Sequence, residues 1–164
     1  MSGVQRVAIL MSHASRAMGG ATRDMILARA MRQQGIDARM FRMFPGPGTE
    51  REMLLGGSVP GVFCTADNPT ESAHRQVSAT LRAEMAAFAP DAVLYKGLGY
   101  AVNADVHAAL PPKTKIGLVI GGGVTDPLVA QASLVLGEYN EQLQRHFPDQ
   151  FNAKRTLVLA LLYK

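Results

Sequence analysis

The chain has 164 residues, 48% of them hydrophobic, which is enough for one core and too few for two full domains. No apolar run reaches the roughly 20 residues of a membrane span, the opening MSGVQR lacks the regions of a signal peptide, and the lone Cys64 excludes an internal disulfide or a multi-cysteine zinc cluster. The net charge of +4 is uneven: residues 1–44 hold seven arginines against Asp24 and Asp37, while the remaining 120 residues carry ten Lys or Arg and eleven Asp or Glu.

In chain order, RVAILMS (6–12) is a continuous apolar run, as in a strand covered on both faces. Helical spacing follows over 21–34, with Ile26, Leu27, Ala30 and Met31 on one face and Arg29 and Arg32 opposite, and Gly35 stops it. ARMFRMF (38–44) is the second expected strand. Residues 45–61, PGPGTEREMLLGGSVPG, read as a loop with one short helical turn around Glu50–Leu55. GVFC (61–64) is a short strand, and Asp67-Asn68-Pro69-Thr70 reads as the start of a helix running to Ala89.

AVLYKG (92–97) is the next strand, 103–110 a short helix ended by Pro111-Pro112, and KIGLVIGGG (115–123) a strand running into glycines. SLVLGEY (133–139) is a strand followed by a short helix over Glu141–His146, and TLVLALLY (156–163) is the last strand. The alternation predicts a single α/β domain, a Rossmann-like three-layer sandwich with a mostly parallel sheet of six to seven strands. The abrupt final strand reads as the edge expected of a domain excised from a longer protein.

In an open parallel sheet, ligands bind beyond the carboxyl ends of the strands. That rule selects His13, Arg16, Gly19 and Gly20 after the first strand, Lys96 and Tyr100 around AVLYKG, and Asp126 after the glycines of KIGLVIGGG. The seam MGGATRD is either a tight turn or a cradle, because glycines admit close backbone approach and the first helical turn presents free N–H groups to an anion. Arg23 can snorkel or lean over the strand ends with a charge-assisted hydrogen bond. His13, Lys96 and Tyr100 are ligand contacts or ordinary structural residues. Asp126 is the best-placed carboxylate for a general base, and an Asp-Pro turn explains it equally well.

Standard nucleotide fingerprints fail. GLGYAV, GGGVTD and GPGTER each lack the last glycine of G-x-G-x-x-G, and MGGATRD lacks the P-loop lysine. The basic first third points to an anionic partner: a phosphorylated substrate or an acidic membrane surface. Nucleic acid is not expected, since basic and aromatic residues are not interleaved.

The order MGGATRDMILARAMRQQGIDARMF, AAFAPDAVLYKG, KTKIGLVIGGG, SLVLGEYNEQLQRHF, TLVLALLY resembles the N-terminal domain of GT-B glycosyltransferases of the family-4 and family-1 type. The resemblance covers nearly the whole chain through degenerate motifs whose weight is their order and spacing. It implies an acceptor-binding domain whose basic face and GG loop meet a glycan or lipid-linked acceptor. His13, Arg16, Gly19, Gly20, Arg23, Lys96 and Tyr100 would form the acceptor or anion site. No cofactor or metal is implied; the nucleotide-sugar donor would sit on a second, C-terminal domain absent here, so this part alone would not transfer sugar. The family's histidine near the end of the strand matching KIGLVIGGG is replaced by glycine, and Asp126 could substitute as the catalytic group. The location implied is the cytoplasm, with peripheral contact at the inner face of the membrane. The alternative is a stand-alone flavodoxin-like ligand-binding or signalling domain. A Rossmann-type oxidoreductase is disfavoured by the failed fingerprints.

Overall fold

The computed structural model describes residues 3–120 and 125–158. Eight strands form one sheet: β1 (Arg6–Met11), β2 (Asp37–Phe44), β3 (Thr49–Leu54), β4 (Val59–Thr65), β5 (Ala92–Lys96), β6 (Lys115–Val119), β7 (Leu134–Gly137) and β8 (Thr156–Val158). The helices are α1 (Thr22–Gln33), α2 (Ala79–Phe88), α3 (Ala101–His107), α4 (Asn140–His146) and α5 (Pro148–Asn152), with single 3-10 turns at Gly19–Ala21, Ala73–Arg75 and Val129–Gln131. The sheet order is β3-β4-β2-β1-β5-β6-β7-β8, parallel throughout except for β3 against β4. No helix among the described residues is long and apolar enough to cross a membrane.

This is the expected Rossmann-like α/β sandwich with one more strand than the upper expectation. Strand side chains alternate between two cores. Val7, Ile9, Met11, Met40 and Leu94 pack beneath Met25 and Ala28 of α1. Ala8, Leu10, Phe41 and Tyr95 face Leu81 and Met85 of α2, Val106 of α3 and Leu143 of α4.

The extra strand is the first correction. The expected loop and helical turn around Glu50–Leu55 form β3, joined to β4 by a turn with positive φ at Leu55, Gly56 and Gly57. The charged stretch TEREML forms a strand because it lies at the sheet edge, where Glu and Arg also discourage pairing with another chain.

The helix expected from Asp67 begins only at Ala79, capped by Ser78, whose Oγ accepts from the Leu81 N–H at 3.0 Å. Asp67 does accept the Ala79 N–H, at 2.8 Å, but from across an intervening loop. The expected face of α1 is also shifted: Ile26 is 46% exposed, while Asp24, Met25 and Ala28 are buried. Gly35 ends α1 as expected, with φ +84° and its N–H donating to Arg32 O at 3.0 Å. Of the last expected strand only Thr156–Val158 lies within the described residues; 159–163 and Gly121–Gly123 fall outside them.

One partly buried pair gives the fold a pH dependence. The hydroxyl of fully buried Tyr95 lies 2.8 Å from Nδ1 of His107, and burial holds the His107 pKa below its usual value. The folded state thus favours neutral His107, so its contribution to stability is complete above about pH 6.5 and is lost as the pH falls through the folded-state pKa. Thermal unfolding scanned downward from about pH 7 should show a steeper fall in Tm for the native chain than for His107→Gln.

Candidate functional site

The strand order reverses direction at one place. From β1 the chain passes to β2 on one side, and from β5 it passes to β6 on the other. The connections therefore part above the carboxyl ends of β1 and β5, which is where ligands bind in such sheets.

The floor of this crevice is a buried polar network. Ser12 Oγ donates to Asn103 Oδ1 at 2.6 Å, Asn103 Nδ2 donates to Gly97 O at 2.8 Å, and both side chains belong to fully buried residues. Asp126 closes it, accepting from the Gly99 N–H (2.8 Å), Asn103 Nδ2 (3.1 Å) and the Leu128 N–H (2.9 Å). Two elements far apart in sequence are thereby tied to the end of β5. Gly97 and Gly99 hold φ of +110° and +81°, conformations that L side chains rarely adopt.

The mouth is the Gly19–Ala21 turn leading into α1. Neither Gly19 nor Gly20 has a left-handed φ, and a Cβ built on either meets nothing within 4 Å among the described residues. The turn therefore does not need glycine. Thr22 Oγ1 donates to Gly19 O at 3.0 Å as a local brace. Lys96 donates to buried Asp24 in the first turn of α1 and lies 3.3 Å from Gly20 O. Arg23 leans across the strand ends, Nη1 reaching Glu138 beyond β7 at 3.4 Å, while its buried Nε has no partner among the described residues.

The flank is set by Arg42, a residue only 9% exposed. Its guanidinium donates to the carbonyls of His13 (2.9 Å) and Ala17 (2.8 Å), shaping the β1–α1 loop from below. Burial pulls its pKa down, and the nearby Tyr100 hydroxyl offsets part of that. Arg16 turns away from the mouth to Glu50 (3.0 Å) and Glu52 (2.5 Å) on β3, with its guanidinium over the Phe63 ring. Tyr100 stands between two histidines: His74 stacks on it at 4.4 Å with an interplanar angle of 17°, and His13 meets it edge-on at 6.3 Å.

Of the residues expected from the sequence, His13, Gly19, Gly20, Arg23, Lys96, Tyr100 and Asp126 lie on the loops around the carboxyl ends of the central strands; Arg16 is held toward β3. Most arginines of the basic first third are engaged within the fold. Arg16, Arg23, Arg32 and Arg39 each pair with a carboxylate, and Arg42 binds carbonyls. Cys64 is buried, with its thiol pushed up to about 11 by burial, so it behaves as a small apolar residue.

Asp24, Arg42, His74 and Asn103 were not singled out by the sequence. Arg42 could have been, as a charge inside a strand otherwise rich in Met and Phe; His74 and Asn103 carry no local signal. No cluster of three or more His, Cys, Asp or Glu is placed to hold a metal among the described residues. Compared with known proteins, the sequence matches no family model and no curated protein.

Proposed function

We propose that this chain is the acceptor-binding Rossmann-like half of a GT-B-type glycosyltransferase, in which a second domain holds a nucleotide sugar and the acceptor is a glycan or a lipid-linked sugar. The observation that supports this most is the Gly19-Gly20 pair. These glycines stand at the mouth of the switch-point crevice, where neither backbone conformation nor packing among the described residues requires them, so their use is to keep the backbone open to a ligand. In this reading His13, Tyr100 and Arg23 face the acceptor, and Lys96 and Asp24 fix the start of α1. Asp126 already accepts three hydrogen bonds, so we assign it the holding of the Gly99 loop rather than proton abstraction. Arg16 supports the loop through β3.

The test uses the intact protein, radiolabelled nucleotide sugars, and lipid and glycan extracts as acceptors. Gly20→Val is expected to raise acceptor KM by about tenfold or more with a smaller effect on kcat, the signature of lost binding. Gly20→Ala should fold with stability equal to or about 0.4–1 kcal/mol above the native chain, because the unfolded state loses freedom and no strain is added. Absence of transfer from every nucleotide sugar, with tight binding of flavin or nucleotide by this domain alone, would point instead to a flavodoxin-like domain.

A further inference from the structure

We infer that the crevice takes a neutral sugar ring, seated against the stacked plate of His74 and Tyr100, and that the loop from Asp67 to Ser78 selects it. This rests on the acceptor-side reading of the crevice and names the chemistry of what enters.

The plate is built rather than incidental. Tyr100 lies so close to Gly97 that a Cβ there would come within 2.9 Å of its ring, which backs the tyrosine against the end of β5. His74 covers that ring from a different segment and is itself exposed. The loop carrying His74 has almost no regular structure yet is closed on itself. The Asp67 N–H donates to Val77 O at 2.9 Å, the Val77 N–H to Asn68 Oδ1 at 2.9 Å, and Asn68 Nδ2 to Arg75 O at 3.1 Å. A plate already held in place spares most of the ordering cost of binding.

The ligand class follows from two properties. An aromatic face carries negative quadrupole density and favours the C–H face of a partner, and a pyranose offers one apolar C–H face with hydroxyls around its rim. The charges around the crevice also cancel. Lys96, Arg23 and Arg42 are cationic, and Asp24, Glu138 and Asp126 are their carboxylate counterparts in number. A neutral ring can enter without displacing Glu138 from Arg23 or Asp24 from Lys96.

The experiment follows the carbon-bound ring protons of the histidines by NMR, with methyl pyranosides of glucose, galactose and mannose as probes and inorganic phosphate and adenosine as comparisons. In the free protein the His74 ring protons should lie upfield and return to ordinary positions in Tyr100→Leu. A glycoside should move His13 and His74 and leave His107 and His146 unmoved. His74→Ala should weaken that binding by about tenfold, the effect of losing one stacked ring, and His74→Phe should retain it. Failure of every glycoside to move His13 or His74, a response to phosphate or adenosine alone, or equal binding by His74→Ala would overturn the inference. Glycoside binding without sugar transfer by the intact protein would leave the inference standing and remove the transferase reading. Transfer with an acceptor KM indifferent to His74→Ala would do the reverse.

Discussion

Lys96→Met should lower the stability of this domain by about 3–5 kcal/mol, the largest effect expected of any single change in the crevice. Lys96 is the cationic partner of Asp24, whose side chain is 2% exposed, and the pair joins the end of β5 to the first turn of α1. Methionine keeps much of the apolar stem but leaves a carboxylate buried without its cation. The positive end of the α1 dipole lies beside Asp24 and recovers roughly 0.3–1 kcal/mol, which favours the lower part of that range.

For a chain of this size, the expected fall in Tm is roughly 6–20 °C. Chemical or thermal unfolding of Lys96→Met, Asp24→Leu and the double variant measures it. The double variant should recover most of the loss, because replacing both partners of a buried pair with apolar groups is often close to neutral. A Lys96→Met change smaller than about 1 kcal/mol would mean that the pair behaves as a solvated surface ion pair.

Gly97→Ala should be the second most damaging change, and its contrast with Gly20→Ala is diagnostic. At φ +110° a side chain adds backbone strain of about 1–3 kcal/mol. The new Cβ would also approach Tyr100 to 2.9 Å and Ser12 Cβ to 3.3 Å. The ring is the part that can yield, so Tyr100 should move off its stack with His74. The Gly97 carbonyl, which accepts from Asn103 and lies 3.2 Å from the Ser12 hydroxyl, carries the disturbance into the buried network. Calorimetry should therefore show a lower Tm, and the His74 ring protons should lose their upfield shift in the same variant. A destabilised variant with an intact stack would separate the role of Gly97 in the backbone from its role in seating Tyr100.

The two glycine sites show how far local reading extends. MGGATRD was legible as a seam between strand and helix, and the choice between a turn and a cradle could not be made there. It depends on whether a Cβ meets anything, which is a property of the surroundings. The strands β1, β2, β5 and β6 were legible because continuous apolar runs are written in adjacent residues. β3 was missed because an edge strand needs no apolar alternation and its charges look like those of a loop. The start of α2 was missed because Asp67 has the chemistry of a cap and uses it on Ala79, twelve residues later. The phase of α1 was missed because Ala, Met, Ile and Leu surround most of the helix, so several faces could be buried.

By itself the sequence determined the α/β class, the strand-to-helix alternation and the set of loops that carry polar residues at strand ends. These follow from hydrophobic period and turn residues, which act over a few positions. The tertiary structure decided which charges remain for a ligand. Asp24 meets Lys96 across 72 residues and Arg23 meets Glu138 across 115, pairings that no local reading of the sequence contains. Coulomb interactions depend on distance in space, and only the strand order sets that distance.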